Sequence, residues 1–107
     1  MSSTRVAVEF LREVADRLES KNVDYAGGTH PHFNFHMGAE LLGYGKENSW
    51  KAAFAYASKH IAKAAKWVRE DGKPGLADAH EVFGDIIAYF ALMMEILDNG
   101  TKKEEDR

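Results

Sequence analysis

From Ser49 onward, Trp50, Phe54, Ala57, Ile61, Ala64 and Val68 recur at alternating steps of four and three residues, which is the period of one apolar face on an α-helix. A strand alternates every second residue and does not produce this spacing. The pattern predicts a long helix from Ser49 to Glu70. The run Asp71-Gly72-Lys73-Pro74-Gly75 puts one proline and two glycines in five residues and predicts a turn. Beyond it, Leu76 to Asp98 carries Ala79, Val82, Ile86, Phe90, Met93 and Leu97 on one seam. Phe83, Ile87, Tyr89, Leu92, Met94 and Ile96 extend the apolar surface almost all the way round. Such a helix is either central to a bundle or shared with another subunit.

Upstream, Thr4 to Ser20 places Val6, Phe10, Leu11, Val14 and Leu18 at helical spacing against a charged face, so a first amphipathic helix is expected, capped by Ser2, Ser3 or Thr4 and leaving through Lys21-Asn22. Asp24 to His32, with Gly27-Gly28 and Pro31, has no sustained period and reads as a loop. Phe33 to Leu42 fits a short helix that Gly43-Tyr44-Gly45 ends. Asn99-Gly100 supplies a stop for the last helix, which leaves one helical domain over 1–100 and a charged tail over 101–107. The sequence shows neither strand signal nor internal repeat, so the expected fold is an all-α bundle of three to four helices, assembled as a homo-oligomer.

With 107 residues, 45% of them apolar, one soluble domain is expected. Zero cysteines exclude disulfide scaffolds, thiolate metal sites and thiol chemistry. The longest apolar run, Ile86 to Met94, is closed by Glu95 well short of the roughly 20 residues that span a bilayer, so no membrane partner is expected. The first residues lack the pattern of a signal peptide, which makes the cytoplasm the expected compartment. A formal charge of −3 gives no global attraction to nucleic acid.

Charge is sorted between the two long helices. Trp50 to Glu70 has five basic residues (Lys51, Lys59, Lys63, Lys66, Arg69) and one acid, whereas Leu76 to Asp98 has five acids (Asp78, Glu81, Asp85, Glu95, Asp98) and no Lys or Arg. Either the two helices pair electrostatically across a hairpin, or a phosphate-facing basic helix stands beside a metal-binding acidic one. Asp85 carries most information, because it sits in an apolar stretch where burial is costly unless something pairs with it. Glu81 is one turn earlier on the same flank, and two such carboxylates suit Mg²⁺ held jointly with substrate phosphates. The alternative is that Lys59, Lys63 or His60 caps Asp85.

His30, His32 and His36 crowd the expected loop and the following helix start, with His32/His36 and His36/Glu40 each four residues apart. That spacing can hold a transition metal such as Zn²⁺ when both side chains face one site; exposed imidazoles are the plainer reading. His60 lies beside the apolar seam, where a satisfied core residue is the commoner outcome. Lys21 and the amides of the Asp24-to-Gly28 turn offer contacts to a phosphate, although the glycine pair has no P-loop pattern. Asp24 capping a turn with Tyr25 packed inward is the structural alternative.

Glu81-Val82-Phe83-Gly84-Asp85 and the apolar run to Tyr89 resemble the Glu-Glu-hydrophobic-Gly-Asp helix of MazG-like, all-α nucleoside triphosphate pyrophosphohydrolases. Lys21-Asn22-Val23-Asp24-Tyr25 followed by Phe33-Asn34-Phe35 looks like the opening of small phage and prophage proteins of that type. Their Lys-x-x-Arg element is approximated by His60 to Lys63 or by Lys59 with Lys63, and their Asp-x-x-x-Tyr by Asp85 and Tyr89. The resemblance covers about Leu18 to Leu97. It implies a helical bundle assembled as dimers or larger oligomers, and Mg²⁺-assisted cleavage of a nucleotide between its α and β phosphates by water. Within it, Glu81, Asp85, Glu40 and His36 are the candidate metal ligands, and Lys21, Asp24, Lys59, His60, Lys63 and Tyr89 the candidate substrate contacts.

The sequence departs from that family in two places. The helix from Ser49 has no acid before Glu70, so the family's earlier Glu-x-x-Glu pair is missing, and Val82 replaces the second Glu of its motif. These losses keep a second class open: a non-enzymatic helical interaction protein that has lost the metal site.

Overall fold

The structure, a computed structural model, describes residues 4–26 and 33–105, with side chains for all of these except 21–26, 33, 34, 36, 46 and 99–105. It contains helices α1 (Arg5–Ala26), α2 (Phe33–Leu41), α3 (Ser49–Arg69) and α4 (Leu76–Glu105), with a single 3₁₀ turn at Lys46–Asn48. No strand occurs among the described residues.

The α3–α4 hairpin is the frame. Trp67 meets Phe83 edge-on, His60 stacks on Tyr89 and Phe54 stacks on Phe90, so positions rise on α4 as they fall on α3 and the helices are antiparallel. Gly72, at φ 101°, lies in the turn between them, in the left-handed region that glycine enters without a Cβ clash. α1 lies on α4 and runs parallel to it: Phe10 and Glu13 reach His80, and Arg17 reaches Asp85. α2 packs on α3 through Phe35 against Tyr56 and Gly38 against Ala52. Gly43 (φ 82°) follows the end of α2, its amide bonded back to the Glu40 carbonyl, as a glycine beyond a helix C-terminus does.

Two helices outrun their sequence boundaries. α1 continues through Lys21 to Ala26, because no glycine or proline interrupts it before Gly27. Residues 24–26 are thus helical where a loop was expected, and their amides belong to the helix rather than to a phosphate-binding turn. α4 passes Asn99-Gly100 and ends at Glu105. One helical glycine costs only about 1 kcal/mol, and Lys102, Lys103, Glu104 and Glu105 are good helix formers, so the helix extends through residues 101–105 of the charged segment.

The core is built of small residues. Buried apolar positions are Val14, Phe35, Ala39, Ala52, Ala53, Ala57, Ala79 and Val82. The expected seam of α3 is displaced: Ala57 is buried, but Phe54 is exposed and Val68 is 85% exposed. The buried stripe runs instead through Ser49, Ala52, Ala53 and Ala57, because α2 and α4 both press on that side and only small side chains fit between them.

Candidate functional site

Where α1, α3 and α4 meet, the side chains of Arg17 and His60 converge on Asp85. Arg17 Nη1 of α1 lies 3.7 Å from Asp85 Oδ1, and His60 Nδ1 of α3 lies 3.7 Å from Asp85 Oδ2. Arg17 also donates through Nη2 to the His80 carbonyl at 3.4 Å. The His60 ring stacks on Tyr89 at 5.8 Å, and Tyr89 in turn meets Phe35 of α2. Asp85 is partly accessible, its side chain 26% exposed.

Local sequence explains the convergence. On α1, Phe10, Glu13, Val14 and Arg17 share the flank that turns toward α4, so Arg17 arrives beside Gly84. The Arg17 guanidinium fills the space where a side chain at position 84 would stand. Glycine followed by aspartate is therefore explained physically: the first residue admits the guanidinium and the second faces it. His60, one turn beyond Tyr56 on α3, reaches Asp85 from the other side.

Of the alternatives for Asp85, the cap from the neighbouring helix is His60. Lys59 and Lys63 are exposed and make no ion pair among the described residues; Lys63 Nζ sits over the Trp67 ring at 5.9 Å. Arg17 is the partner that sequence reasoning missed. Its signal was partial: a glycine inside an apolar helix has a packing reason and the Phe10/Val14/Arg17 spacing turns toward the bundle, but neither names the other.

The metal candidates are spread out. Glu81 is exposed one turn before Asp85, and Glu40 is exposed on α2. The side chains of His36, Lys21 and Asp24 lie outside the described residues, as do His30 and His32. Among the described residues, no three His, Asp or Glu side chains come together as a metal cluster. As arranged, Asp85 does not fit a resident Mg²⁺, which demands near-octahedral oxygen ligation: a guanidinium and an imidazole flank the carboxylate on both oxygens.

Neither ion-pair distance is a hydrogen bond, since N–H···O contacts fall at about 2.7–3.2 Å. With the Arg17 side chain 39% exposed, its contact with Asp85 is worth no more than about 1 kcal/mol. A guanidinium in so weak a contact keeps the chemical capacity for charge-assisted, bidentate pairing with an oxyanion.

No family model, curated protein or solved structure matches the chain. Among the described residues, no helix is long and apolar enough to cross a membrane.

Proposed function

We propose that the chain is a nucleotide-binding helical protein of MazG-like, phage type, whose phosphate-recognising group is Arg17 with His60, beside Asp85 and Tyr89. The observation that carries this reading is the loose Arg17–Asp85–His60 constellation: a guanidinium and an imidazole from two other helices face a partly open carboxylate on α4, each at 3.7 Å, too far for a hydrogen bond to it. Exposed Lys59 and Lys63 extend the positive charge along α3. The stronger form of the reading is Mg²⁺-dependent release of pyrophosphate. It requires Glu81 to turn toward Asp85 and Arg17 to move onto the phosphates, so that the two carboxylates and phosphate oxygens would together hold the Mg²⁺.

The test is calorimetric titration with nucleoside mono- and triphosphates, with and without Mg²⁺, while pyrophosphate release is followed in the same samples. Binding that Arg17→Ala weakens at least tenfold supports recognition at this site, and Mg²⁺-dependent pyrophosphate release lost in Asp85→Asn supports hydrolysis. Binding to none of the nucleotides rejects both forms.

A second reading, a helical interaction protein without a metal site, is favoured by both Asp85 oxygens facing nitrogen groups, the Arg17 guanidinium and the His60 imidazole. In it Asp85 pins α1 and α3 to α4, and Asp85→Asn changes stability while no nucleotide binds.

A further inference from the structure

The basic residues of α3 are not neutralised by the acids of α4. Lys51, Lys59, Lys63, Lys66 and Arg69 are all exposed, and among the described residues their one ion pair is Lys66 with Glu70, just past the end of their own helix. Asp78 and Glu81 of α4 are exposed as well and pair with none of the five among the described residues. At 3.6 residues per turn the five cations fall within about 120° of the α3 circumference, on the flank away from Phe54, Ile61 and Val68. The stripe from Lys51 to Arg69 is about 27 Å long at the α-helical rise and holds no acid.

Aromatic rings accompany the stripe. Lys51 Nζ lies 5.7 Å from the centroid of Tyr44 and 5.8 Å from that of Trp50, and Lys63 Nζ lies 5.9 Å from Trp67. Tyr44 is 41% exposed, while Trp50 and Trp67 are half-buried. The positions between the cations are Ala55, Ser58, Ala62 and Ala65, and Ser58 Oγ is already bonded to the Ala55 carbonyl of its own helix at 2.6 Å.

We infer that this stripe binds single-stranded nucleic acid without regard to sequence, the phosphates following the five cations and unstacked bases resting on the rings beside them. A row of unneutralised cations along one face is the footprint of a polyanion. Rings beside cations serve bases whose faces are free, which a single strand offers and a duplex hides. An anionic membrane fits less well, because a helix lying in the interface sets large apolar side chains beside its cations, and here alanine and serine stand between them. Those small residues also bring no donor and acceptor pattern for reading base edges, so phosphate contacts dominate and sequence is not discriminated. Ribose and deoxyribose strands share this chemistry.

The formal charge of −3 conceals the stripe, since the acids that set it sit on other elements. Lys51, Lys66 and Arg69 play no part in the nucleotide site at Arg17 and His60, so strand binding and mononucleotide binding can fail separately.

Fluorescence anisotropy of labelled oligothymidylate and oligouridylate, each about 15 nucleotides long, titrated with the full chain, tests the inference. Micromolar binding to either strand is expected at low salt, with log K falling against log salt at a slope of about −3.5 for five neutralised phosphates. Lys51→Gln combined with Lys66→Gln should weaken binding about tenfold or more and flatten the slope by about 1.4, with helical circular dichroism retained. If that pair loses its fold, Lys59→Gln with Arg69→Gln makes the same test. Tyr44→Leu should weaken binding about fivefold at an unchanged slope, because it removes a stacking surface and no charge. Absence of binding to both strands at low salt overturns the inference, as does a salt slope that neither pair of substitutions alters. A duplex of equal length bound as tightly as the single strand overturns the assignment to unpaired bases. Binding to phosphatidylserine vesicles but to neither strand overturns it in favour of a membrane surface.

Discussion

The Arg17 guanidinium stands where position 84 would carry a Cβ, so Gly84 and Arg17 are a matched pair across α1 and α4. Gly84→Ala pulls in opposite directions. It adds up to about 1 kcal/mol of helix propensity to α4 and pushes away the far end of a flexible side chain, whose contact with Asp85 is worth no more than about 1 kcal/mol. Net stability in urea should change by less than about 1 kcal/mol. Coupling between positions 17 and 85, measured by a double-mutant cycle, should be present with Gly84 and vanish with alanine. Coupling that survives the alanine would show that Arg17 reaches Asp85 by another route.

Asp85 lies between two groups that can carry positive charge, so its charge matters more than its shape. Asp85→Asn is expected to cost up to about 1 kcal/mol, since it removes the anion that faces the Arg17 guanidinium. In an Arg17→Ala background the cost should shrink. Equal costs in both backgrounds, read from denaturant midpoints, would place the stabilisation on His60 alone.

Residues that repeat with helical period were legible; those whose role depends on which helices meet were not. The α3 start at Ser49 and the break at Asp71–Gly75 follow from spacing and turn chemistry. Gly100 misled as a stop because a single glycine costs α4 less than the good helix formers after it return. Phe54 and Val68 fell on a regular apolar seam, yet α2 and α4 close over the alanine side of α3 instead. Asp85 stood out because a carboxylate among apolar residues needs a partner. Arg17 did not, because three residues at helical spacing on α1 say which flank turns inward but not what they meet.

Gly38 is buried in α2 beneath the Tyr56 hydroxyl, with the Ala52 methyl 3.5 Å from where a Cβ would project. Tyr56 is a rigid ring tilted against Phe35 at 5.7 Å and has less freedom to retreat than an arginine tip. Gly38→Ala should therefore destabilise the protein by about 1–3 kcal/mol through overpacking, despite alanine's better helix propensity. Adding Tyr56→Phe removes the nearest crowding atom and should recover part of the loss. If thermal melts show no recovery, the obstruction lies in the backbone separation of α2 and α3 and not at the hydroxyl.

Ser49 opens α3 and is 1% exposed, and its Oγ has no hydrogen-bond partner among the described residues. A hydroxyl taken out of water without a partner costs about 1–3 kcal/mol. Asn48, directly before it, directs its side-chain amide to the Tyr44 carbonyl at 2.9 Å and so does not satisfy it. Ser49→Ala deletes the orphaned oxygen, keeps the small volume that the Ala52, Ala53 and Ala57 stripe demands, and raises helix propensity. The variant should be more stable than the parent by about 1 kcal/mol in equilibrium denaturation. Because Ser49 lies on the α2 side of α3, away from Asp85, nucleotide titrations of the variant should match those of the parent. A loss of stability in Ser49→Ala would mean that the hydroxyl is bonded in solution, most directly to an ordered water at the start of α3.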